Sequence, residues 1–412
     1  MSSSGILAVA ILAMGAVLAA CAGILAPGAR AQTTTLYSFM GGADGSSPNG
    51  GVVYHKGILY GTTAEGGTFN GKCLAGPNDI GCGVLFSVNA TTGAETVVHS
   101  FQGGADGNFP LATPIYQGGT LYGTTELGGT TGCNGEGCGT VYAIKPATGA
   151  NTVLYTFQGG TDGALPRAGL TYQGGFLYGT TSAGGSAACA GGCGTVFAIN
   201  ATTGAETVLY RLQGGNDGAT SYSDLLYQGG LLYGTSEGGG GACDCGTVFA
   251  VNATTGAETV LYRFQDGNDG EDPDSTLIYA NGLLYGSTAY GGLKKCDGSS
   301  CGTVFSVDPI SGAETILYKF RGRTRGQHPE SLSYHNGFLY SSAYYGYNIS
   351  NLFKMATTHA KLKPFCNFDL AAPLGSSGTL IYQSGLWYGS TADGGSGRAC
   401  AGGCGTVFAC SP

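Results

Sequence analysis

The sequence predicts an all-β fold, a seven-bladed β-propeller of four-stranded antiparallel blades. Three observations predict it: a phrase of the form L-Y-G-[TS]-[TS] recurs about every 55 residues, each copy sits among three further strand-like runs, and the chain opens and closes on complementary parts of one unit.

The phrase begins at Leu59, Leu121, Leu177, Leu232 and Leu284, with divergent forms at Leu339 and Trp387, which makes seven copies. About twenty residues later comes a second strand such as 194–199, then a turn at 200–204 and a third strand, 206–212. The fourth is an apolar stretch before each phrase, for example 169–172. All are joined by Gly-rich turns. A lone unit of this kind cannot bury both faces and must stack on neighbours, and an open stack would leave two raw edges. The strand 34–39 is equivalent to 206–212, and the chain stops just after the strand 405–410. Pairing the two completes unit seven and closes the ring. The whole of 34–412 therefore reads as one domain, expected to be a monomer.

Composition supports this. Of 412 residues 79 are Gly and 25 Tyr, and only 10% are charged, which suits turns and strands rather than helices. The formal charge of −8 is thinly spread and excludes nucleic acid, whose phosphates demand a basic face.

With strands named a to d from the axis outward, antiparallel order puts the d-to-a and b-to-c connections on one face. They comprise GGxDGxxP turns (Asp44, Asp106, Asp162, with related forms at Asp217 and Asp269) and long, variable cysteine loops. That face is the candidate binding surface. The turn Asp residues read as turn-shaping side chains bonded to backbone, with a calcium contribution as the alternative.

Six loops each hold a close cysteine pair: Cys73 and Cys82, Cys133 and Cys138, Cys189 and Cys193, Cys243 and Cys245, Cys296 and Cys301, Cys400 and Cys404. Pairing by unit predicts local disulfides and an oxidising compartment. Cys366 and Cys410 stand at strand positions that hold Tyr318 and Ile199 in other units, and read as buried free thiols.

The N-terminus reads as an export signal. An apolar run, 6–20, leads to Ala29, Arg30 and Ala31, an A-x-A cleavage pattern that makes 1–31 a signal peptide. Leu18, Ala19, Ala20 and Cys21 resemble a lipobox with Cys21 as the lipidated residue, and retention of 5–26 as an anchor is the third option. The membrane is expected to meet the protein only through this segment.

The order LYxFxGGxDGxxP, LYGTTxxGG, GTVFxI resembles the GloVer (Gloeo/Verruco) tandem repeat of choice-of-anchor proteins, a family of exported bacterial proteins. The likeness spans nearly all of 34–412, is clearest in units one to five and weakest in six. It implies an extracytoplasmic, propeller-like fold and brings no established activity.

The innermost strands are apolar, with only Asp224 and Glu330 as acids nearby, and the five His show no metal or triad spacing. No catalytic residue, cofactor or metal is expected. Unit six breaks the pattern: its turn carries Arg321, Arg323, Arg325 and His328, and its loop loses both cysteines and gains Tyr344, Tyr345 and Tyr347. These residues form a candidate site for an anionic sugar or carboxylate, held by forked Arg hydrogen bonds and Tyr stacking. The reading is therefore a non-catalytic extracytoplasmic module, secreted, periplasmic or held at the cell surface, that binds glycan or a surface protein through the loop face. The alternative is an extracellular propeller hydrolase or lyase with an axial metal site.

Overall fold

The computed structural model describes residues 31–75, 78–129, 131–265, 267–293, 296, 300–322, 326–345, 349–368 and 376–412. They form seven antiparallel four-stranded blades around one axis. Blade 3 is typical, with strand a at Thr171–Gln173, b at Phe176–Thr181, c at Thr195–Asn200 and d at Glu206–Arg211, paired in that order. The equivalent strands span 53–100 in blade 1, 115–156 in blade 2, 226–263 in blade 4, 278–319 in blade 5, 333–367 in blade 6 and 376–410 in blade 7. Each strand a lies beside strand a of the next blade, and the circle returns from blade 7 to blade 1.

Each blade is twisted by a bulge between c and d, as between Val196 and Phe197, which opens the sheet like a fan. Because strands alternate their side chains, both faces of every blade are apolar, and the core is a circle of junctions rather than one centre. Phe197, Leu177 and Leu170 of blade 3 pack with Val141 and Phe157 of blade 2. Val196 and Ala198 pack on Leu232 and Phe249 of blade 4.

The L-Y-G-[TS]-[TS] phrase follows from this packing. Its Leu fills the junction. Its Gly makes room for the c-strand aromatic, since a Cβ on Gly179 would lie 2.6 Å from the Phe197 ring. The first hydroxyl ties one blade to the next: Thr62 donates to the carbonyl of Ala112 and Thr124 to that of Ala168, each at 2.8 Å. The second ties b to c within the blade, as Thr181 Oγ1 to Thr195 Oγ1 at 2.9 Å.

The predicted closure is present. Thr34–Ser38 is strand d of blade 7 and pairs with Thr406–Cys410, in register Thr34 with Ala409 and Ser38 with Thr406. Phe39 of the opening segment and Phe86 of blade 1 then share one buried cluster with Val407. Ser390 donates across the same junction to the Gly50 carbonyl.

All six local cysteine pairs are bonded, with Cα atoms 5.1 to 5.4 Å apart. Each of four packs against the first Gly of the following turn: at Gly159 (φ 74°) a Cβ would meet the sulfurs of Cys133 and Cys138 at 3.2 to 3.3 Å. The expectation of free thiols at Cys366 and Cys410 is corrected, because they form a seventh disulfide, Cα atoms 6.5 Å apart. It joins strand d of blade 6 to strand c of blade 7. Each cysteine lies in a strand, and blade stacking alone brings the two together.

Candidate functional site

The turn and loop connections share a face, as expected. In each of the first five junctions the segment around the turn Asp pairs with the following b-to-c loop, for example Asn108 with Leu127 and Gly218 with Gly239. The turn Asp is structural in all five. Its Oδ2 accepts the backbone N–H four residues back, at 2.7 to 2.9 Å, and a Tyr hydroxyl or, at Asp106, the His99 ring.

The blade 6 segments are neighbours as well: Gln327 pairs with Tyr344, and Pro329 with Ala343. Arg321 is exposed. His328 is half-buried with its ring edge-on to Tyr290 at 4.8 Å, and burial holds its pKa below the usual value. Tyr344 and Tyr345 lie in strand b. Arg323, Arg325 and Tyr347 lie outside the described residues.

A polar cavity lies at the axis. It measures about 330 Å³, and every blade contributes to it, blades 1 to 6 through residues just before strand a and blade 7 through Gly378 and Thr379 in the first part of that strand. One step before the apolar anchor of that strand stand Gly51, Thr113, Gly169, Asp224, Thr276, Ser331 and Thr379. They interlock around the axis: Thr113 Oγ1 accepts Gly51 N–H at 2.7 Å, and Asp224 Oδ1 accepts Gly169 N–H at 2.6 Å. Two steps further back the residues diverge, to Asn49, Leu111, Arg167, Tyr222 and Asp274, and these form the mouth. Arg167 is paired with Glu126 at 2.6 Å and lies 5.1 Å from the centre of the Tyr222 ring.

The acids cluster on the side of blades 4 to 6. Burial raises the Asp224 carboxyl, opposed by hydrogen bonds from Gly169 and Thr276. Burial, with the charges of Glu237 and Asp272, pushes Asp274 up to about 6. Glu330, next to the lining residue Ser331, is pushed up to about 8 by burial and by Asp274. Among the described residues no group of three or more His, Cys, Asp and Glu side chains is placed to hold a metal ion.

Sequence reasoning named Asp224 and Glu330 but missed Arg167, Tyr222 and Asp274. The signal was available: they occupy one repeat position whose neighbours are nearly uniform. The expectation of an apolar axis holds for the strands and fails at their entrance, where polar side chains line the opening.

Fold and site together define a closed, disulfide-tied propeller with a polar axial mouth. The chain belongs to the Gloeobacter/Verrucomicrobia repeat family, whose profile matches residues 25–190 and 188–408. No curated protein matches it. Among solved structures it is similar to an oligogalacturonate lyase in complex with manganese, at 11% identity and a TM-score of 0.54 over 92% of this chain and 93% of that one. It is also similar to TolB from Acinetobacter baumannii, at 14% identity and a TM-score of 0.40 over 68% of this chain and 58% of that one. At such identities the likeness is one of fold.

Proposed function

We propose that the protein is a non-catalytic, extracytoplasmic binding module whose ligand enters the axial mouth on the loop face, and that the ligand is a neutral, hydroxyl-rich group of an extracellular glycan. One observation carries this reading: one repeat position whose side chain changes chemistry from blade to blade converges on the wall of a single cavity. Asn49, Arg167, Tyr222 and Asp274 replace one another at a position flanked by near-identical residues. Asp accepts from sugar hydroxyls, Asn both accepts and donates, and Tyr offers a ring for stacking. The acids at the mouth disfavour an anionic sugar there, while the Arg321 turn on the same face suits one. Seven disulfides support export to an oxidising compartment.

The test is a glycan array followed by calorimetry on the hit. Tyr222→Ala and Asp274→Asn should each weaken binding about tenfold or more. Affinity unchanged from the parent protein in both variants, or no glycan bound, overturns the reading. Lyase or hydrolase chemistry is the second reading, favoured by the juxtaposed Asp274 and Glu330 with separated proton affinities. Polymer cleavage that Asp274→Asn abolishes would establish it.

A further inference from the structure

The turn Asp residues have a second oxygen, and the strand d residue it faces in the following blade repeats from junction to junction, although at Asp44 this oxygen also accepts the Gly42 N–H at 3.3 Å. At Asp106, Oδ1 accepts Nδ2 of Asn151 at 2.8 Å, reaching across to strand d of the following blade. Asn151 pairs with Ile144 of its own blade. The residues in that same place elsewhere are Glu95 (opposite Val88), Glu206 (Ile199), Glu258 (Val251) and Glu314 (Val307). In all four, Oε1 is buried without a hydrogen-bond partner, and so is Oδ1 of Asp217. An amide closes the gap where one is present. Two carboxylates cannot, because both only accept, but one proton supplies the missing donor.

We infer that Glu95, Glu206, Glu258 and Glu314 are protonated in the closed ring and donate to Asp44, Asp162, Asp217 and Asp269, so that four blade junctions are fastened by carboxyl-to-carboxylate hydrogen bonds. The groups facing each Glu are few. Glu95 meets Asp44 and Tyr37; Glu206 meets Asp162, Tyr155 and Arg211. Glu258 meets Asp217, Tyr210 and Arg263; Glu314 meets Asp269, Tyr262 and Lys319. Burial first, then the facing Asp charge, pushes each of the four Glu carboxyls up to about 7. Asp106 behaves oppositely: burial raises it, but the His99 and Asn151 hydrogen bonds outweigh that and hold it below its usual range.

The direction of the pH effect follows. The folded ring keeps a proton that the unfolded chain releases near the ordinary Glu value of 4.5, so this contribution is complete below that value. It fades as pH rises and is lost above about 7. A ring fastened this way is tightest in mildly acidic surroundings.

Carboxyl carbon NMR of the full chain, assigned residue by residue, should show Glu95, Glu206, Glu258 and Glu314 titrating near neutrality alongside Glu330, and the thermal midpoint, followed by emission of the lone Trp387, should fall by about 5 °C between pH 5 and pH 8. The variant E95Q/E206Q/E258Q/E314Q, which copies Asn151 chemically, should flatten most of that slope, leaving the part that Asp274 and Glu330 contribute. Signals of these four Glu that titrate in the ordinary range, or a slope unchanged in the Gln variant, would overturn the inference. The NMR titration needs only the native protein and decides the matter should the variant fail to fold.

Discussion

Blades 1 to 5 and the junction of blades 6 and 7 solve the same problem by different means. In the regular blades a local disulfide steadies each b-to-c loop, the turn Asp braces the turn that leads to the next blade, and a hydroxyl of the L-Y-G phrase ties the two blades together. Blade 6 has neither the cysteine pair nor the Asp. Its d strand is instead bonded to blade 7 through Cys366 and Cys410, amid a cluster of Tyr340, Phe365, Trp387 and Phe408. The short strand Ala31–Gln32 also runs parallel to that d strand, which it covers. A repeat can thus shed its family pattern where another fastening spans the same gap.

This contrast can be tested. The largest effect is expected from Cys366→Ala with Cys410→Ala. That link closes 44 residues, so its loss should cost about 4 kcal/mol on the chain-entropy estimate, against about 2 kcal/mol for Cys189→Ala with Cys193→Ala, which closes four. Urea unfolding of the two double variants compares them directly. Equal losses would mean that blade 6 is held by its neighbours' packing and not by the link.

A smaller loss, about 2 kcal/mol, should follow Gly179→Ala in blade 3, because the new methyl meets Phe197 and Leu170 at 2.6 to 3.0 Å. Blade 6 carries Ser341 at this position, with its hydroxyl donated to the Glu330 carbonyl. Little change in Gly179→Ala would show that regular blades are as forgiving as blade 6. The smallest effect is a gain. Tyr142 stands where the other blades have Phe, and its hydroxyl is buried without a partner, so Tyr142→Phe should stabilise by about 1 kcal/mol. A loss instead would mean that the hydroxyl bonds an ordered water.

The ring, its seven units and its closure were legible because repeats state their own period and the end strands complement each other. The local disulfides were legible from spacing. Cys366 and Cys410 were not, since 44 residues and two different strands separate them and only blade stacking makes them neighbours. The mouth was half legible. Asp224 and Glu330 stand out as acids in apolar surroundings, whereas Arg167, Tyr222 and Asp274 become significant only when the repeats are superposed and their side chains converge.

The seam between Thr34–Ser38 and Thr406–Cys410 is held by hydrogen bonds and side-chain packing alone, so peptide continuity there is dispensable. A circular permutant cut in the hairpin at 201–204, with the old ends joined by a few Gly and Ser residues, should assemble the same torus. Truncated products of synthesis, by contrast, would display an unmated ribbon at each rim and adhere to one another.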